Sequence, residues 1–363
     1  MIGALLRTID NLTGRGDAAV TVPALDGALR PNRRLDEAET RLPLAGVDSL
    51  AFLFGAHVAS AGNTLYRLAD GTDWQPWRKF DGRIACIAAI GNEGLAVVLD
   101  TGEILIEGGS TEGQGYRVPE GLRSITAIAV SPSAIFLANG SATNPAEDWQ
   151  LDLLQRNASG SIWRIDRNSG ASLRLADRLA WPAGLALDGD SIVFSEAWKH
   201  RLARLPLTGG EPVVVHADLP GYPGRLAPAA DGAWLAIFAP RSQLVEFVLR
   251  ERAYKTRMIA EVPRPFWIAP SLRTGRSFYE PLQGGSVKQL GLLKPWAPTL
   301  SSGLCVRLDR AFQPVESLHS RADGATHGVT DMGEHQGRVF IAASGDGVVV
   351  ASHAGTGEEG SLP

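Results

Sequence analysis

The sequence predicts an all-β protein, a six-bladed β-propeller carrying two partly helical lid insertions, and three observations predict it. Short apolar segments rich in β-branched and aromatic residues recur along the chain, among them 95–99, 125–130, 192–195, 234–238 and 348–351, each bounded by Gly, Asp, Asn or Pro. Glycine at 41 residues and proline at 22 punctuate many short strands rather than long helices. The strands also repeat. Gly46–Phe52, Arg83–Ala89, Ser124–Val130, Trp181–Leu187, Tyr222–Pro228 and Thr326–Met332 share a pattern, and most lead through a turn into a second strand, as Asp188–Ser195 and Ala230–Ile237 do.

These units begin at residues 46, 83, 124, 181, 222 and 326. A four-stranded blade takes about 40–50 residues, so six blades account for the chain once two long intervals are read as insertions. The insertions cover about 140–160 and 241–302. In the first, Trp149, Leu153 and Leu154 have helical spacing; in the second, 243–259 reads as partly helical. Both leave second-to-third strand connections and are expected to form a lid over the ligand face. The last unit supplies only three strands. Ala18–Val22, which alternates weakly, is expected to add the fourth and close the ring, removing an exposed sheet edge. Residues 1–363 are thus read as one propeller domain.

Composition excludes several function classes. With 363 residues, 44% hydrophobic, the chain can bury a large core. Its mean hydropathy is -0.02, and no apolar run nears the ~20 residues of a membrane span, so membrane insertion is not expected. Lys and Arg total 35 against 39 Asp and Glu, a balance that argues against a nucleic-acid partner. Two cysteines, Cys86 and Cys305, sit in apolar runs and fit a reducing compartment. The first ten residues lack a secretory pattern, so a soluble, cytoplasmic protein is expected. No phosphate-binding loop, His-Glu-x-x-His, Gly-x-Ser-x-Gly or Cys-x-x-Cys motif is present.

Ser161–Asp166, Leu179–Leu187, Val193–Arg201, Asp218–Pro223, Leu244–Leu249 and Gly328–Gly337, in that order, resemble the strictosidine synthase-like branch of the SMP-30/gluconolactonase/paraoxonase superfamily. The resemblance implies a six-bladed propeller with a site on its axis, and does not by itself fix the chemistry. Hydrolytic members of that superfamily hold an axial calcium through a Glu, two Asn and an Asp. Their positions fall here on Asp48, on Thr126 or Ala127, on Ala183, and on Gly224 with Arg225 beside it. Calcium takes six to eight hard oxygens, so no calcium or other cofactor is expected. The catalytic Glu of the condensing enzyme falls on Thr330, next to Asp331, which argues against strictosidine formation.

Residues that open the first strand of a blade or end its second converge on the axis. This selects Glu196, His327 and Asp48 as candidates for proton transfer, with a tie between blades as the structural alternative for Glu196. Asn139, Trp181, Trp198, Tyr222, Arg225 and Thr126 are selected for substrate binding, the aromatic residues as a wall for an apolar or aromatic molecule. The expected function is that of a small-molecule enzyme hydrolysing a lactone or ester, or performing a related condensation or lyase step. The alternative is a non-catalytic binding or scaffold propeller.

Overall fold

The computed structural model describes residues 22–353 apart from 70, 92–93, 278, 281–287, 290–291 and 294–299. Among them, six four-stranded antiparallel sheets form the blades of a propeller. The inner strands are Val47–Leu53, Ile84–Ile90, Ile125–Val130, Pro182–Asp188, Gly221–Pro228 and Val329–His335, for blades 1 to 6. Each touches the next, and blade 6 touches blade 1, so the ring is closed. The strand signal reflects burial on both faces. In blade 2, Gly94–Leu99 is buried at every position, because the neighbouring blades cover each side of the sheet.

Ring closure departs from expectation in its location. The fourth strand of blade 6 is Thr40–Pro43, which pairs with Val348–His353. Of the segment 18–22, only Val22 lies within the described residues. Thr40–Pro43 is a short edge with one buried side chain, Leu42, so it carries little of the hydrophobic pattern that marks a strand in sequence. It is held from the side as well. Arg41 donates to the carbonyls of Leu35 and Ala325 and to Thr326 Oγ1.

The segments 140–159 and 241–302 connect the second and third strands of blades 3 and 5. Helix α1 (Trp149–Gln155) lies in the first; α2 (Gln243–Val248) and α3 (Arg252–Glu261) lie in the second. Leu153, Leu154, Val245, Val248, Met258 and Trp267 join in one apolar cluster, so the two insertions share a core. Polar bonds stitch them further: Arg264 pairs with Asp148 at 2.6 Å, and Gln150 donates to the Pro270 carbonyl at 2.8 Å.

Candidate functional site

Each inner strand carries a β-bulge just after it begins, and the extra residue faces the axis. Asp48, Ala85, Thr126, Ala183 and Thr330 have no cross-strand partner in blades 1, 2, 3, 4 and 6. In blade 5, Gly224 and Arg225 together oppose Ala236, and Phe238 is the extra residue on the neighbouring strand. All eight line one cavity of about 650 Å³, large enough for a small organic molecule. A bulge re-aims a side chain that the pleat would otherwise bury between blades.

Arg225 occupies the centre. Its Nε donates to the Thr126 carbonyl at 3.1 Å and its Nη1 to the Asp48 carbonyl at 2.8 Å. Its Nη2 donates to Asp48 Oδ2 at 2.8 Å and to the Ala85 carbonyl at 2.9 Å. One side chain from blade 5 thus ties blades 1, 2 and 3. Burial opposes its charge, but Asp48, Asp331 and the hydrogen bond to Asp48 outweigh that and raise its pKa further above the ordinary arginine value. Thr126 donates to the Pro182 carbonyl at 2.6 Å and Thr330 to the Asp48 carbonyl at 2.9 Å, which links blades 4 and 6 to the same ring.

The wall is aromatic. Trp181 and Trp149 line the cavity together with Phe238. Trp198 packs behind them, stacked on Trp181 with ring centroids 5.1 Å apart and on Trp149 at 6.3 Å. Gly140 makes this possible, since a Cβ there would lie 2.9 Å from both Thr126 Cγ2 and the Trp181 ring. Pro145, Ala146 and Glu147 from the first insertion and Leu272 from the second also line it.

Asp152 in α1 holds the lid. It is 1% exposed and accepts from Trp198 Nε1 at 2.8 Å, Asn144 Nδ2 at 2.8 Å and Asn157 Nδ2 at 2.7 Å. An Asp152→Asn change leaves an amide donor facing other donors, at about 1–3 kcal/mol. Amide hydrogen exchange across residues 144–157 is expected to accelerate by about tenfold or more. Unchanged exchange would show that the lid is held by its apolar cluster alone.

The other sequence-selected residues lie off the cavity lining. Glu196 is fully buried and accepts from Ala180 N at 2.8 Å, Arg201 Nε at 2.6 Å and Lys199 Nζ at 2.8 Å. Asn139 is also buried; its Oδ1 accepts from Ser124 N at 3.0 Å. The two act alike: a polar side chain at the end of a second strand holds the backbone entering the inner strand. Asp100 and Asp346 do the same for Arg83 N and His327 N. The expectation that strand-two ends converge on the axis therefore fails for Glu196 and Asn139, because their side chains turn back to this entry loop. The His327 imidazole lies between Ser301 Oγ at 2.9 Å and the Arg321 carbonyl at 2.7 Å, and burial lowers its pKa. Tyr222 is buried beside His200, Trp198 and Phe238, and burial raises its phenol. Asp48, Thr126, Trp181 and Arg225 are thus brought together at the cavity, with Trp198 behind the wall.

Few side-chain oxygens at the axis are free to ligate a calcium ion. Of the bulge residues, Ala85, Ala183 and Gly224 offer no side-chain oxygen, and both threonine hydroxyls are donating to carbonyls. The Asp48 carboxylate is held by the Arg225 guanidinium. Among the described residues, no three His, Cys, Asp or Glu side chains group in a way that could hold a metal.

Among the cavity residues that the sequence did not mark are Phe238 of the wall and two arginines. Arg83 and Arg123 are exposed at the cavity and make no ion pair among the described residues. Asp331, buried, accepts from Leu50 N at 2.9 Å and Met332 N at 2.8 Å; burial pushes its pKa up to about 6 against the pull of Arg225. The available signal was the fixed offset of the bulge from each repeat start, which places Thr330 on the axis and Asp331 between blades.

Comparison with known proteins supports the architecture. Regucalcin from Agrobacterium tumefaciens, described as a calcium-binding protein, superimposes with a TM-score of 0.52 at 13% identity, covering 88% of this chain and 92% of that one. This likeness shows the fold: the chain is a six-bladed β-propeller. In sequence, the chain is 29% identical over 198 residues to the adipocyte plasma membrane-associated protein Hemomucin of Drosophila melanogaster, covering 51% of this chain. The match spans about a third (33%) of that relative's length. No family model matches the sequence. Among the described residues, no helix is long and apolar enough to cross a membrane.

Proposed function

We propose that this chain is a lactonase-type enzyme of the SMP-30/gluconolactonase propellers, near their strictosidine synthase-like branch. It acts without calcium on a small hydrophobic or aromatic lactone or ester held in the axial cavity. The observation that supports this is the Asp48–Arg225 pair at the cavity centre, 2.8 Å apart, beneath an aromatic wall. Four hydrogen bonds leave one of the five N–H groups of Arg225 without a partner among the described residues. That N–H is suited to a substrate carbonyl oxygen and to the oxyanion that forms from it. Asp48 accepts the proton of the attacking water and returns it to the alkoxide released when the ester bond breaks. Trp149, Trp181 and Phe238 bury the apolar part of the molecule.

The test is hydrolysis of aryl and alkyl lactones and esters in the presence of EDTA. Turnover is expected in the parent protein. Asp48→Asn, which keeps an acceptor for Arg225, is expected to lose about 10²-fold or more in kcat while still binding product. Full activity in this variant would remove Asp48 from the chemistry.

A second reading, ligand binding without turnover, is favoured by one observation. Glu196 and His327, the other acid–base candidates, have their polar atoms engaged away from the cavity. Saturable ligand binding with no turnover across the panel would establish it.

A further inference from the structure

Four oxygens from three blades converge on one group at the axis: the carbonyls of Asp48, Ala85 and Thr126 and the Asp48 carboxylate oxygen Oδ2. Bulges in the inner strands turn this backbone toward the centre, so the partial negative charges there oppose one another unless a positive charge lies among them. A second carboxylate, on the buried Asp331, acts on the same point. Convergent hard oxygens with acidic neighbours are the environment a hard cation takes. Here a side chain reaching in from blade 5 supplies the charge.

We propose that the Arg225 guanidinium is the protein's own tethered axial cation, and that a divalent ion and this side chain are mutually exclusive occupants of the channel centre. The competition has two causes. The ion would need the oxygens that Arg225 already holds, and it would meet a like charge that cannot be removed by deprotonation in the working pH range. The charge is covalent, so it is neither diluted nor chelated. The ring of blades 1, 2, 3 and 5 is thereby held together independently of the calcium concentration around it. This inference concerns the occupant of the axis and stands whether or not the cavity turns over a substrate.

One consequence separates it from a plain interblade tie: removal of the guanidinium opens a place for calcium in a protein otherwise indifferent to it. The experiment is calorimetric titration with CaCl₂, with melting curves in EDTA and in millimolar CaCl₂, for the parent chain, Arg225→Ala and Arg225→Lys. The parent and Arg225→Lys are expected to bind no stoichiometric calcium and to melt alike in both buffers. Arg225→Ala is expected to melt lower in EDTA and to recover at least about 3 °C with CaCl₂. Gly224→Asp added to Arg225→Ala places a carboxylate at the cavity and is expected to enlarge that recovery, since a Cβ at Gly224 meets nothing closer than Phe238 Cδ1 at 3.3 Å.

Stoichiometric calcium in the parent protein would overturn the proposal, and so would an Arg225→Ala protein whose melting ignores calcium. If Arg225→Ala is soluble only when refolded with CaCl₂, that supports it. If Arg225→Ala is insoluble in both buffers, Arg225→Lys decides. Folding with calcium-insensitive melting supports a tethered charge, and failure to fold shows that hydrogen-bond shape, not charge, is what the axis requires.

Discussion

Glu196→Gln is expected to lower the melting temperature by about 5 °C and to leave turnover per folded molecule within about twofold. The Glu196 carboxylate has no exposure, and around it stand Arg201, Lys199 and the Ala180 amide. Removing one member of a buried charge cluster leaves the rest uncompensated, at about 3–5 kcal/mol. Arg201 and Lys199 keep 26% and 43% of their side-chain exposure, so water screens part of that loss and the lower end applies. About 3 kcal/mol in a domain of this size is a few degrees of melting temperature. The entry of the chain into the blade 4 inner strand hangs on the Ala180 contact, so hydrogen exchange at residues 180–184 is expected to rise in parallel. An unchanged melt with activity down by about 10²-fold would return Glu196 to the chemistry that the sequence alone suggested for it.

Gly184→Ala is expected to be more damaging still. A Cβ at residue 184 would overlap the Gly224 carbonyl and lie 2.8 Å from Arg225 Cα and 2.9 Å from Leu226 N. All three are backbone atoms of the neighbouring inner strand, so no side chain can rotate aside. Blades 4 and 5 must separate, and the base of Arg225 moves with them. Overpacking of this kind costs about 3 kcal/mol or more. Low soluble yield, or a melting temperature at least about 5 °C below the parent, is the expected result. Gly333→Ala is the control, because a Cβ there meets nothing within 4 Å and φ is not in the left-handed region. Equal behaviour of the two variants would mean that the blade 4–5 seam is looser than its geometry indicates.

The legible part of the site was the part written at a fixed place in the repeat. Asp48 and Thr126 are legible because each lies where an inner strand opens, and they do face the axis. Glu196 and Asn139 were misplaced by a rule about strand direction. Whether a side chain at a strand end turns inward or back to its own entry loop depends on the nearest unpaired amide, which the sequence does not reveal. For Glu196 that amide belongs to Ala180, and for Asn139 to Ser124. The closing strand was missed for a different reason. Thr40–Pro43 buries a single leucine, and its pairing with Val348–His353 crosses the whole chain, so no local pattern marks it.

The sequence alone determined the all-β architecture, the count of six blades and the place of both insertions. These rest on periodic apolar burial and on turn residues, which are local and repeat with the blade. Tertiary structure alone decided which of the axial residues hold one another. The four oxygens held by Arg225 come from residues 48, 85 and 126, while the guanidinium comes from residue 225. A bulge in each inner strand sets which residue faces inward, and ring closure sets which of those residues meet. The second leaves no mark in any short stretch of the chain, because the partners of such a contact are separated by whole blades.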